Sequence, residues 1–115
     1  MLKITKEDSQ HRVELFQVTR LNILFSDLVK QQLQELVEKP GNSVLFNLER
    51  IRFIDSAGFG MLLHIADRAK HCGSEFILCN IHDDVSELID LLELKGQFTF
   101  RELGITEERI RYALD

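Results

Sequence analysis

The sequence lacks an apolar run that could cross a bilayer: none of its stretches approaches the roughly 18 residues of a spanning helix. Its first residues, MLKITKEDSQ, lack the apolar centre of a secretory signal. Basic charge is also short. Fourteen Lys and Arg stand against 19 Asp and Glu, for a formal net charge of −5 with His neutral and a pI near 5.3. A nucleic-acid binder usually carries a basic patch or a high pI, so direct nucleic-acid binding is not expected. An anionic membrane surface would repel the chain for the same reason. Cysteine is scarce, with only Cys72 and Cys79. Their C-x6-C spacing fits no common redox or zinc pattern. His71 and His82 flank them, but structural zinc sites favour tighter C-x2–4-C pairs. No metal and no cofactor is expected. The compartment these features suggest is the cytoplasm, where both thiols stay reduced. Repeats, low-complexity tracts and linkers are absent too. The 115 residues, 44% apolar and 29% charged, therefore suggest one globular domain, 1–115.

What is present is an alternation of strand-like and helix-like segments. Leu2 to Thr5 and the alternating HRVELFQV read as two strands. SDLVKQQLQELVEK, residues 26–39, carries a helical stripe at Val29, Leu33, Leu36 and Val37, which Pro40-Gly41 stops. SVLFNL has the continuous apolar look of a buried strand. A second helix near 57–70 has Gly58, Leu62, Ile65, Ala66 and Ala69 on one face. EFILCN is a strand. Asp84 at the cap opens a helix to about 94 with a stripe of Val85, Leu88, Ile89 and Leu92. QFTFRE is a last strand. Thr106 caps a final helix near 106–114, where Glu107 and Glu108 suit the dipole. The pattern predicts an α/β domain with a mixed sheet of four to five strands packed against about four helices.

The stretch FIDSAGFGMLL, residues 53–63, places a hydroxyl where a strand becomes a helix. One reading is a nucleophile elbow, G-x-S-x-G. Here the five residues are Ile54-Asp55-Ser56-Ala57-Gly58, so the first glycine is missing and isoleucine poorly tolerates the strained turn. A small serine hydrolase is thus weakly supported. A second reading makes Ser56 the N-cap of the helix. A third adds a phosphate. A helix start accommodates an anion, and a phosphoserine beside Asp55 changes the surface potential without unfolding the domain.

The run VLFNLERIRFIDSAGFGMLLHIADRAKHCGSEFILCNI resembles the central segment of a STAS domain. This family includes the bacterial anti-sigma factor antagonists and the C-terminal domains of sulfate transporters. Its signature, an acid and a serine followed by a Gly-Leu-Gly-like sequence opening a helix, reads here as Asp55-Ser56-Ala57-Gly58-Phe59-Gly60. The likeness extends more weakly to the later DVSELIDLLELKGQF. It implies a regulatory phosphoprotein and not an enzyme. In antagonists of this family the serine directly after the acid is phosphorylated by a kinase that is also the anti-sigma factor. Their unphosphorylated form binds that kinase and frees the sigma factor, so the resemblance implies a role in transcription regulation. By motif position Ser56 is the acceptor. Asp55, Ala57, Gly58 and Phe59 then belong to the partner face, together with Arg20 and Asn22 of the preceding segment. The chain departs from the family there, with Thr19-Arg20-Leu21-Asn22 in place of a Gly-x-Leu-Asp stretch. Within the same family, the alternative is an accessory subunit docking on the ATPase of a lipid or solute transporter.

Two further features bear on the partner face. At 100° per residue Met61 falls with Ala57, His64 and Arg68, away from the core stripe. It is therefore expected at the surface, one turn from Ser56, as a partner contact. Ile23-Leu24-Phe25 precede the first helix. At least two of them are expected to cover the core edge, with a protein interface as the alternative. His64 and His71 read as solvated helix residues.

Overall fold

The computed structural model describes residues 2–102, without the side chain of Phe25. The expected helix near 106–114 and its Thr106 cap lie outside the described residues. Strands β1 (Leu2–Glu7) and β2 (Gln10–Leu15) form an antiparallel hairpin with Glu7 opposite Gln10. Its turn places Asp8 at φ 56°, a left-handed conformation that aspartate tolerates better than most side chains. β3 (Arg20–Leu21) follows, then α1 (Ile23–Val37) and β4 (Ser43–Asn47). Next come β5 (Phe53–Ile54), α2 (Ser56–Cys72) and β6 (Glu75–Cys79). α3 (Asp83–Leu91), a short 3-10 turn (Lys95–Gln97) and β7 (Thr99–Arg101) complete the described chain.

Five strands form one mixed sheet in the order β1-β2-β4-β6-β7, parallel from β2 onward. Each parallel connection advances by one place in the same direction. Right-handed crossovers then put every connecting helix on the same face. The core agrees. Val13, Val44, Phe46, Phe76 and Leu78 of the sheet share one buried cluster with Val29, Leu33 and Val37 of α1, Leu62 and Ile65 of α2, and Val85 and Ile89 of α3. The opposite sides of the central strands carry a second small cluster, Leu45, Ile77 and Cys79. This is why SVLFN and EFILC read as nearly unbroken apolar runs: both of their faces are buried.

Element boundaries moved where capping decided them. α1 starts at Ile23, earlier than expected, because the Asn22 side chain accepts from the Leu24 N–H at 3.0 Å. The expected loop Ile23–Phe25 is therefore a helical turn. α2 ends at Gly73, whose φ of 73° suits glycine. α3 begins under His82, not Asp84, since the His82 ring accepts from the Asp84 N–H at 3.1 Å. It stops at Leu91, so Leu92 leaves the stripe and is exposed.

Candidate functional site

Two strands too short to show any periodicity build the site. β3 and β5 pair in parallel, with Arg20 opposite Phe53 and Leu21 opposite Ile54. One residue later each strand becomes a helix. Asn22 and Asp55 thus hold equivalent places as N-caps, and Ile23 and Ser56 are the first residues of α1 and α2. The pairing delivers two helix starts side by side to one surface.

Asp55, not Ser56, caps α2. Its backbone N–H is tied to the Leu21 carbonyl at 3.2 Å, which holds it extended at φ −86° and ψ −178°. The carboxylate then lies over the helix start, and Oδ1 accepts from the Gly58 N–H at 2.8 Å. Oδ2 reaches across to accept from the Ile23 N–H at 3.1 Å, so one side chain ties the starts of both helices. Ser56 is left without capping duty. Its hydroxyl is exposed and makes no hydrogen bond among the described residues.

Gly58 lies where α2 passes close to β3. A Cβ built there would sit 2.6 Å from the Leu21 carbonyl oxygen and 2.7 Å from Ile54 Cγ2. The glycine therefore sets the approach of the helix to the strand pair, and is buried. Ala57 is half-buried beside Ser56. Arg20 is exposed, with its guanidinium 5.4 Å above the Phe53 ring.

The structure corrects three of the expected contact residues, and Gly58, buried against β3, is the first. Met61 and Phe59 are each only 4% exposed and belong to the main core cluster, so neither side chain faces a partner. The reason is α1. It lies against the side of α2 that a single-helix wheel leaves to solvent. The His64 ring is 3.1 Å from Gln34 Oε1, and Arg68 Nη2 meets Glu38 Oε1 at 3.4 Å. His64 is accordingly half-buried between the helices rather than fully solvated. The expectation for Ile23 and Leu24 is reversed as well. They are 70% and 81% exposed, with Leu28 also exposed one turn on. The apolar surface beside Ser56 is thus the first turn of α1, not Met61.

No histidine serves Ser56 as a base. His64 is engaged with Gln34, and His71 Nδ1 with the Asp67 carbonyl at 2.9 Å. His82 caps α3, and His11 is buried on β2. A nucleophile without a base in hydrogen-bond reach does not meet the geometry of covalent catalysis. Among the described residues no group of three or more His, Cys, Asp and Glu side chains is placed to hold a metal ion. No helix there is long and apolar enough to cross a membrane. Burial pushes the Cys79 thiol up to about 11, with Arg101 and Arg12 acting in the opposite direction.

A helix-covered mixed sheet, with an exposed serine where two capped helix starts meet, defines a small α/β domain. The chain belongs to the STAS domain family, whose profile matches residues 11–105. It is similar to an anti-sigma F factor antagonist of Paenibacillus polymyxa, 27% identical over 67 residues. That match covers 57% of this chain and 57% of the relative, so the aligned part spans little more than half the length of either. Among solved structures, an anti-sigma-factor antagonist STAS domain protein of Planctomyces limnophilus superposes with a TM-score of 0.76, at 17% identity and 97% coverage of both chains. The Bacillus cell-fate determinant SpoIIAA in its phosphorylated form superposes with a TM-score of 0.68, at 16% identity over the whole of both chains. These structural likenesses establish the fold.

Proposed function

We propose that this chain is a single STAS domain working in the cytoplasm as a phosphorylation-controlled protein–protein switch of the anti-sigma factor antagonist kind. The observation that carries the reading is the state of Ser56. Its hydroxyl is exposed and unbonded at the start of α2, next to the exposed apolar pair Ile23 and Leu24. Among the described residues nothing bonds to the hydroxyl, and Ser56 is exposed. The names of two similar proteins, an anti-sigma F factor antagonist and a phosphorylated cell-fate determinant, support the same direction.

The partner is an anti-sigma factor that is also a serine kinase holding a nucleoside triphosphate. In the modifying step Ser56 Oγ attacks the terminal phosphorus. The bond from that phosphorus to the leaving nucleoside diphosphate breaks, and the hydroxyl proton passes to a base of the kinase. Before modification the small hydroxyl lets a protein surface close over Ile23, Leu24 and the α2 start. Afterwards the phosphate adds about −1.5 to −2 charge beside Asp55. The helix start tolerates that charge, but a non-basic partner face cannot desolvate it cheaply.

The test is quantitative binding of the purified partner kinase to Ser56→Ala, Ser56→Asp and Leu24→Glu. Ser56→Ala binds and resists phosphorylation as read by mass spectrometry. Ser56→Asp binds more weakly, though it supplies only part of a phosphate's charge. Leu24→Glu loses more than about 1 kcal/mol of binding while its stability stays within about 0.5 kcal/mol of wild type. If Ser56→Asp binds as tightly as Ser56→Ala at low ionic strength, where charge effects are least screened, the switch is refuted. Constitutive docking on a transporter ATPase then takes its place.

A further inference from the structure

The double use of the Asp55 carboxylate points to how a charge at Ser56 reaches the apolar surface. We propose that Asp55 is a latch: its Oδ2 holds the first turn of α1 in place, and a phosphate on Ser56 releases it. The proposal rests on the reading of Ser56 as a modified residue and adds the route by which modification acts.

In the first turn of α1 Ser26 is buried, whereas Ile23 and Leu24 are largely solvent-exposed, so packing does not anchor those two. The described contacts that hold them are polar. Asn22 Oδ1 accepts from the Leu24 N–H at 3.0 Å, the Asn22 carbonyl accepts from the Ser26 N–H at 2.9 Å, and Asp55 Oδ2 accepts from the Ile23 N–H at 3.1 Å. Only the last of these joins the turn to α2. It spans 32 residues of sequence, and its acceptor is a carboxylate oxygen. A charge-assisted bond is worth roughly twice a neutral one.

A phosphate on Ser56 attacks this arrangement in two ways. It stands on the residue next to the carboxylate, so the two anions repel. It also brings three acceptor oxygens to the N–H groups at the start of α2, where Asp55 now satisfies Gly58 at 2.8 Å. Displaced from its own helix, the carboxylate loses the position from which Oδ2 reaches Ile23. The apolar turn is then freed at the moment the charge arrives. Modification therefore disorganises the docking surface as well as repelling the partner. The rest of α1 stays, because Val29, Leu33 and Val37 are fully buried.

The experiment is residue-resolved amide exchange by NMR on three versions of the full chain: unmodified, with phosphoserine installed at 56 during synthesis, and Asp55→Asn. In the phosphoserine chain the Ile23 amide exchanges about tenfold faster, as expected for loss of a bond to a charged acceptor, while Leu33 and Ile65 keep their protection. In Asp55→Asn the single amide oxygen stays with Gly58 and the Ile23 amide is again faster. An unchanged Ile23 amide in either chain overturns the latch. Because the phosphate is installed without a kinase, the latch can stand even if the partner never modifies Ser56, so its failure and that of the switch are told apart.

Discussion

Replacing Gly58 with alanine tests the geometry on which the site depends. Two effects oppose each other. Alanine is the better helix former, worth up to about 1 kcal/mol over glycine in a helix interior. Against this, the new Cβ would lie 2.6 Å from the Leu21 carbonyl oxygen and 2.7 Å from Ile54 Cγ2. The first of these is backbone, paired into β3, and no rotamer change moves it. Overpacking of a tight site costs about 1–3 kcal/mol, and an unyielding neighbour puts this case in the upper half of that range. The net expectation is a loss of about 1–2 kcal/mol, or several degrees in Tm for a domain of this size. Gly60 supplies the control. It lies on the same helix, two residues on, and a Cβ there meets nothing within 4 Å. Gly60→Ala should gain up to about 1 kcal/mol from propensity alone. Thermal and urea unfolding of the two variants should move in opposite directions. If both move the same way, the close approach of α2 to β3 is not what holds the helix starts together.

Met61→Ala should lower stability by about 2–5 kcal/mol, the cost of emptying a buried methionine site; near-native unfolding with lost partner binding would return Met61 to the surface. Cys79 gives a pH signature. Its thiol is raised to about 11 from an ordinary 9.0, so the folded state holds the proton more tightly than the unfolded chain does. That contribution is complete below about pH 9 and is lost as pH rises toward 11. Cys79→Ala should flatten this part of the stability profile, and an unaltered slope would refute the assignment.

The strand and helix alternation was legible because each long element carries its own period. Val29, Leu33, Leu36 and Val37 mark α1's inner face whatever lies around it. Ser56 was legible through its motif and its place after a strand. Three other points were not. Met61 looked exposed because a wheel shows one helix alone, and the burial comes from α1 lying beside α2. Asp55 and Ser56 are both good caps in adjacent positions. The choice between them is made by the Leu21 carbonyl, which holds the Asp55 backbone extended. β3 and β5, at two residues each, are below the length at which alternation carries information. Yet they set the two helix starts side by side. The exposure of Ile23 and Leu24 follows from that placement, not from the local sequence.

The one-directional strand order has a consequence for how the chain finds its structure. Of the four pairings in the main sheet, only β1 with β2 is a local hairpin. Each parallel pairing must wait for an intervening helix and its loops to close. Mixed α/β domains of this kind fold at intermediate speeds, with the closure entropy spent before the non-local contacts repay it. The β3–β5 pair has the same character at its smallest scale: two residues on each side, joined only after α1 and β4 have been brought back. The surface around Ser56 should therefore assemble late, and a partner that recognises it would bind only chains in which α1 and β4 are already in place.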